Sequence, residues 1–435
     1  MELIIVEKPK SALRIAMALA DDKAVKRNYS GVPYYELSHG GKKIVVAAAV
    51  GHLFGLVERK ESKGERKGER MQGKKKASYP VFNIEWQPKA GFTKKYAQVL
   101  KLLSAKADSF VIACDYDIEG EVIGFNVLRF IAKQLDARRM KYSTLTENEL
   151  INSYENSLPN IDWGQALAGE TRHYLDYYYG ISLSRALMEA IQKVGRHQIL
   201  SIGRVQGPAL ALLAKREREI QNFKPEPYWQ IFLLVKNSHE LEVQFPKNIF
   251  DKNEAEKFLL LKGKKGVAKT EKEVKEIQPP PPFDLTTLQV EAYKFLGLTP
   301  AQTLQLTQNL YLAGLISYPR TASQKLPPAI GYRNILNKLS ESYPVSKYAK
   351  RSKPIEGKAS DPAHPAIFPT GEKPENLSKI EQQLYDLIVR RFISCFAEDA
   401  LVEYKVIRVN VDGKEFVVKG LQVRKKGWTE VYKVK

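Results

Sequence analysis

The stretch "ACDYDIEGE", residues 113–121, sets Asp115, Asp117, Glu119 and Glu121 at alternate positions directly after the apolar run "SFVIAC" (109–114). Two further apolar runs rich in β-branched residues, "ELIIV" (2–6) and "KIVVAAA" (43–49), read as strands covered on both faces. They alternate with "SALRIAMALADD" and "GEVIGFNVLRFIAKQL", whose apolar residues recur at i, i+3 and i+4. Residues 1–150 therefore read as an α/β domain with a mainly parallel sheet. In such a sheet Glu7, ending the first strand, and Asp115, ending the third, arrive at the same carboxyl edge, where α/β proteins build their sites.

Carboxylates gathered there repel unless a cation neutralises them, and an all-oxygen set without thiolate or imidazole suits Mg²⁺. The metal set expected is Glu7, Asp115, Asp117 and Glu119. A plain helix N-terminus is the structural alternative, with Glu119 and Glu121 favouring the first turn and Asp115 as cap. Capping uses one acid and leaves Glu7 and Asp117 without a reason, so the metal reading is preferred.

The rest of the chain bounds the partner. Its 435 residues hold 69 Lys and Arg against 49 Asp and Glu, a formal charge of +20 that points to a polyanion such as nucleic acid. No apolar run approaches a membrane span, no signal peptide opens the chain, and a soluble cytoplasmic protein is expected. Cys114 and Cys395 are far apart in apolar runs, which removes a disulfide framework and a CxxC zinc site. The six histidines lack HxxxH spacing, which argues against the usual transition-metal constellations, and no P-loop motif occurs. The basic run "ERKESKGERKGERMQGKKKAS" (58–78) reads as a solvated loop or a DNA-facing flap.

Beyond residue 150 the pattern is helical and basic to about Phe223. Then "YWQIFLLVKNSHELEVQF" (228–245) and "EYKVIRVNVDGKEFVVKGLQV" (403–423) alternate like exposed strands, with Asp412-Gly413 as a hairpin turn. Between them "IQPPPPF" (277–283) opens a helical insert from about 284 to 390.

"VEKPK" (6–10) with "DYDIEGE" (115–121) resembles the Toprim fold shared by topoisomerases, bacterial-type primases and some nucleases. "GLISYPRTAS" (314–323) resembles the active-site segment of type IA DNA topoisomerases, and "PPFDLTTLQVEAYKFLGLTPAQTLQLTQNLYLA" before it resembles that family's helical lead-in. "TRHYLDYYYGISLSRAL" (171–187), "LSIGRVQGPALALLAKREREI" (200–220), "VGHLFGL" (50–56), "RMKYSTLT" (139–146) and "DPAHPAIFPT" (361–370) are similar to further family segments in the family's order. Glu7-Lys8 and "AHPAI" resemble the archaeal and topoisomerase III side more than bacterial topoisomerase I.

The resemblance implies a multidomain α/β plus α and β fold: a Toprim, Rossmann-like domain at 1–150, the first part of domain IV at 151–225, domain II at 226–280 and 391–435, and domain III at 281–390. It implies that Tyr318 is the nucleophile forming a 5′-phosphotyrosine, which stores the bond energy so that one strand is cleaved and resealed without ATP. Arg320 clamps a phosphate in this reading. Glu7 and Lys8 transfer protons and stabilise charge, with Mg²⁺ as cofactor. Arg139, Arg172, Asp176, Ser201, Arg204, Gln206 and His364 fall in the DNA-binding segments. Arg172 and Arg204 have a plainer alternative as helix-surface ion pairs, and His364 as a capped loop histidine. The expected substrate is single-stranded or negatively supercoiled DNA, at the nucleoid.

The family's later segment, with a G-I-G-T-x-x-T-R-like motif, and its zinc ribbons are not found in these residues. Three readings stand: a fragment, one half of a split protein whose separate partner chain supplies that segment, or a ring completed some other way; in the family, apolar helix faces such as Leu183, Leu187, Leu210 and Leu213 would pack partly against it. A Toprim primase or nuclease, and a DNA-binding fragment without relaxation activity, are the competing readings.

Overall fold

The computed structural model describes residues 1–59, 79–236 and 240–432, so most of the basic run at 58–78 lies outside the described residues. The chain divides into two compact units. The first takes in Met1–Glu217 together with Thr307–Thr321 and Asp361–His364, and the second holds Arg218–Leu306, Ala322–Ser360 and Pro365–Lys435.

In the first unit the elements run β1 (Glu2–Val6), α1 (Pro9–Leu19), β2 (Val25–Tyr29), β3 (Val32–His39), β4 (Lys42–Ala48), β5 (Phe54–Glu58), β6 (Ile84–Pro88), α2 (Thr93–Ser104), β7 (Ser109–Ile112), α3 (Ile118–Val127), β8 (Arg138–Arg139), α4 (Glu147–Glu155), α5 (Trp163–Lys193) and α6 (Gln206–Gln221, which continues into the second unit). A six-stranded sheet has the order β2-β3-β4-β1-β7-β8. Its centre is parallel, with Ile5 opposite both Ala47 and Ile112. The β2–β3–β4 edge is antiparallel, so the sheet is mixed. β2 is exposed throughout, and Lys26 and Arg27 on it discourage edge-to-edge pairing.

β1 is buried along its whole length because helices cover both faces, which is why its sequence is uninterrupted by polar residues after Glu2. α1 starts on Pro9, whose missing N–H costs nothing in the first turn, and buries Ala12, Ile15, Ala16 and Leu19. α3 is buried from Gly120 to Val127. Gly120 is required there: a Cβ would lie 2.0 Å from the Asp115 carbonyl oxygen. On α5, a Cβ at Gly169 would lie 2.3 Å from the Ile118 carbonyl oxygen. These two glycines let α3 seat its N-terminus on the end of β7 and let α5 lie across it.

The second unit carries β9 (Phe232–Lys236), β10 (Glu240–Gln244), α7 (Lys252–Glu256), β11 (Val267–Ile277), α8 (Leu285–Leu296), α9 (Pro300–Leu312, which continues into the first unit), α10 (Tyr332–Leu339), α11 (Val345–Tyr348), α12 (Lys379–Ser394), β12 (Ala400–Val411) and β13 (Lys414–Lys425). One antiparallel sheet, β11-β12-β13-β10-β9, joins the two β stretches across the helical insert. Asp412 and Gly413 both have positive φ, 52° and 79°, the backbone of a two-residue hairpin turn whose twist matches its strands. Val243, Phe258, Val409, Val411 and Phe416 form the sheet's core. α8 begins in a capping box between Asp284 and Thr287, directly after the proline run.

Candidate active site

The four alternating carboxylates face four different surroundings, all within the first unit. Asp115 is buried and ion-paired to Lys8, whose ammonium also lies 3.1 Å from Glu7 Oε1. Asp117 caps α3, Oδ1 accepting from the backbone N–H of Glu119 (3.1 Å) and Gly120 (2.7 Å). Glu119 turns its carboxylate to His52 and His173. Glu121 is wholly buried against Arg139. The cap is thus Asp117, not Asp115.

Tyr318 is brought to this edge. Its hydroxyl donates to Asp117 Oδ2 at 2.5 Å, and its backbone N–H donates to the Ser143 carbonyl at 2.7 Å. Its ring packs on His364 and Tyr311, with centroids 4.5 and 5.3 Å away. Tyr311 in turn donates to Asp115 Oδ1 at 3.4 Å. His364 Nε2 contacts the Tyr116 carbonyl at 3.0 Å, so that nitrogen carries the proton, and Nδ1 contacts Ser143 Oγ at 2.9 Å. His364 is therefore a buried part of this cluster, and burial depresses its pKa.

The electrostatics follow from burial and crowding. Glu7 is pushed up to about 7, first by burial and then by the charge of Asp115. Burial disfavours the Lys8 ammonium, but Asp115 and Glu7 beside it outweigh this and raise its pKa. The Tyr318 phenol is driven far above its usual range by burial and then by Asp115 and Asp117. Three carboxylates, Glu7, Asp115 and Asp117, gather here around the single ammonium of Lys8, which leaves the cluster short of positive charge. The oxygen donors of Glu7, Asp115 and Asp117 therefore fit a hard divalent cation. Glu119, expected with the same ion, has its carboxylate on histidines instead.

Arg139 requires a correction. It is completely buried: Nε bonds Glu121 at 2.8 Å, Nη1 bonds the carbonyls of Cys114 (2.8 Å) and Met140 (2.7 Å), and Nη2 that of Asp115 (2.9 Å). No face is left for a phosphate; the guanidinium fixes the backbone that carries Asp115. Arg172 and Arg204 are joined through Asp176, at 3.6 and 2.9 Å, and Arg172 also lies 3.3 Å from Glu119. Their plainer reading as ion pairs is present in the structure, and both remain partly exposed. Ser201 and Gln206 are exposed before and at the start of α6. Arg320 is exposed, with no side-chain partner among the described residues.

Sequence reasoning missed Tyr311, Ser143 and Tyr116, which hold Tyr318 and His364. It also set aside the histidines, since His52 and His173 are remote in sequence and spacing rules see only local ligand pairs. Both nevertheless stand inside quoted motifs, "VGHLFGL" and "TRHYLDYYYG".

Among the described residues no helix is long and apolar enough to cross a membrane. Residues 2–145 match the Toprim domain, a divalent-metal-binding module, and residues 160–435 match the family described as DNA topoisomerase. The chain is 44% identical to the DNA topoisomerase 1 of Pyrococcus horikoshii over 99% of its length and 64% of that protein's. It is also 44% identical to the DNA topoisomerase 1 of Methanocaldococcus jannaschii, again over 99% of its own length and 56% of the relative's. The chain thus spans less than two thirds of these curated relatives. The full-length topoisomerase I of Thermotoga maritima superposes on the whole chain with a TM-score of 0.73 at 24% identity, over 68% of that structure, so the two share a fold. By the match over residues 160–435, together with its Toprim domain, the chain belongs to the DNA topoisomerase family.

Proposed function

We propose that the chain is the catalytic core of a type IA DNA topoisomerase, cleaving and resealing one strand through a 5′-phosphotyrosine on Tyr318 and relaxing negatively supercoiled DNA without ATP. The observation that carries this reading is the hydrogen bond from the Tyr318 hydroxyl to Asp117, beside the Glu7–Lys8–Asp115 cluster. In the arrangement described, Tyr318 is a poor nucleophile, because buried carboxylates oppose a phenolate. The hydroxyl has to exchange Asp117 for a phosphate before it reacts. Its oxygen then bonds to phosphorus while the phosphorus bond to the 3′ oxygen breaks. The phenol proton passes to the carboxylates, and the leaving oxygen takes a proton from Lys8 or Glu7. Glu7 suits both directions, since a group titrating at about 7 gives and accepts a proton near neutrality. When bound among Glu7, Asp115 and Asp117, Mg²⁺ supplies charge neutralisation for the phosphate and the leaving oxygen. Religation is the reverse, which is why no ATP is needed.

In this reading Arg320, Arg172 and Arg204, with Asp176, Ser201 and Gln206 beside them, line the path of single-stranded DNA, aided by stacking on exposed aromatics. His364 belongs to the tyrosine's packing and meets DNA only when that packing opens. The division into domains at 1–150, 151–225, 226–280 with 391–435, and 281–390 is part of the proposal, as is a nucleoid location. Leu183, Leu210 and Leu213 are 43%, 66% and 68% exposed, which suits coverage by a further polypeptide segment. Covalent capture of a labelled oligonucleotide by the wild type and by Tyr318→Phe tests the function directly.

A further inference from the structure

We propose that His52, Glu119 and His173 form a binding site for a borderline divalent transition metal such as Zn²⁺, separate from the oxygen-only set of Glu7, Asp115 and Asp117. The proposal stands whether or not the chain cleaves DNA. His52 Nε2 and His173 Nε2 converge on the same oxygen, Glu119 Oε2, at 2.9 and 3.0 Å, and all three ligand atoms lie within 4.8 Å of one another. At a tetrahedral ion with bonds of about 2.0–2.1 Å, neighbouring donors stand roughly 3.3 Å apart. The two contacts to Glu119 need to lengthen by only a few tenths of an ångström, and the two imidazole nitrogens, within 4.8 Å of each other, have to settle at the same spacing of roughly 3.3 Å to admit one.

The donor set selects the metal. Two imidazoles and one carboxylate suit Zn²⁺, Co²⁺ or Ni²⁺, whereas Mg²⁺ prefers oxygen alone. Three protein ligands leave a fourth position, and the half-buried side chains leave solvent a way in to fill it. The rings are held by packing: His173 lies 5.5 Å from Trp86 and 4.8 Å from His52, centroid to centroid. Trp86 is itself fixed, its indole N–H donating to Glu170 at 3.1 Å and Tyr174 at 3.2 Å. His52 Nδ1 is buried without a partner, so that ring lacks the outer hydrogen bond that metal-bound histidines usually make. Arg172 Nη1, 3.3 Å from Glu119 Oε1, opposes a cation, but it touches the other oxygen, and Arg172 is half exposed, with Asp176 as an alternative partner. Without an ion the two imidazoles hydrogen-bond Glu119 Oε2; a bound ion would take their place at that oxygen.

The test titrates chelator-stripped protein with Co²⁺, follows its visible d–d absorption, and displaces it with Zn²⁺. The expected result is one site, weakened by about 10–100-fold or more in His52→Ala and in His173→Gln, and unchanged in Glu7→Gln, since losing a ligand costs at least what losing an outer partner does. Circular dichroism checks that each variant is folded. X-ray absorption at the zinc edge of the wild type gives a readout independent of any variant. It should show imidazole nitrogens at about 2.0–2.1 Å. Equal affinity in the folded histidine variants, an oxygen-only shell, or no stoichiometric Zn²⁺ binding overturns the proposal.

Discussion

Tyr318 and Asp117, 201 positions apart in the chain, share a hydrogen bond of 2.5 Å, and the same aspartate caps α3 through its other oxygen. One side chain thus fixes the start of the helix and holds the candidate nucleophile. Replacing Asp115 and Asp117 together by Asn is expected to weaken Mg²⁺ binding and strand resealing far more than DNA affinity, because removing negative charge eases the approach of a polyanion. Isothermal titration with Mg²⁺ beside a DNA-binding titration checks this, and loss of DNA affinity with Mg²⁺ binding intact contradicts it.

Glu7 gives a pH dependence with a definite sign. Its folded pKa, about 7, lies above the ordinary carboxylate value, so its contribution to stability is complete below about pH 4.5 and is lost as pH rises through 7. Glu7→Gln should therefore gain stability relative to the wild type between pH 5 and pH 8, by about 1–3 kcal/mol in metal-free buffer. Urea denaturation at both pH values measures it; a constant difference contradicts the assignment.

Arg139→Met leaves the buried Glu121 carboxylate without its counter-charge, with the Asp162 backbone N–H still bonded to it, and is expected to cost about 3–5 kcal/mol of stability. In protein that remains folded, the salt dependence of DNA binding should not change, since the guanidinium has no exposed face. The additional change Glu121→Leu should recover part of the lost stability.

If Arg204 and Arg320 neutralise phosphates, changing each to Ala lowers the slope of log affinity against log salt for single-stranded DNA by about 0.7. Asp176→Asn, which releases Arg172 and Arg204 from their shared partner, should raise affinity at low salt. An unchanged slope in Arg204→Ala would leave that residue as the surface ion pair it makes with Asp176.

The parallel centre of the sheet was legible because β1 is buried throughout and β4 and β7 are buried over Ile44–Ala48 and Val111–Ile112, where their sequences are apolar. Their shared edge then placed Glu7 beside Asp115. β11 was not legible: Val267–Ile277 is exposed along nearly its whole length and reads "VAKTEKEVKEI", with lysines and glutamates where a half-buried strand would show apolar residues. Within the site, residue type was readable and partnership was not. Glu119 and Glu121 look equivalent in "DIEGE", yet α3 sends one to two half-exposed histidines and the other to a sealed arginine. Arg139 was misplaced because a motif arginine in a basic chain suggests phosphate, and only the fold shows that its three guanidinium nitrogens serve Glu121 and backbone carbonyls.

The central claim is that Tyr318 attacks DNA, and the measurement closest to it is covalent capture of a labelled single-stranded oligonucleotide after rapid denaturation in the presence of Mg²⁺. Wild type is expected to retain the fragment on the 3′ side of the break, joined through its 5′ phosphate and mapped by peptide mass to Tyr318, with none on a folded Tyr318→Phe variant that binds the same oligonucleotide with nearly unchanged affinity. An adduct that persists in Tyr318→Phe, or one mapped to another tyrosine, would contradict it.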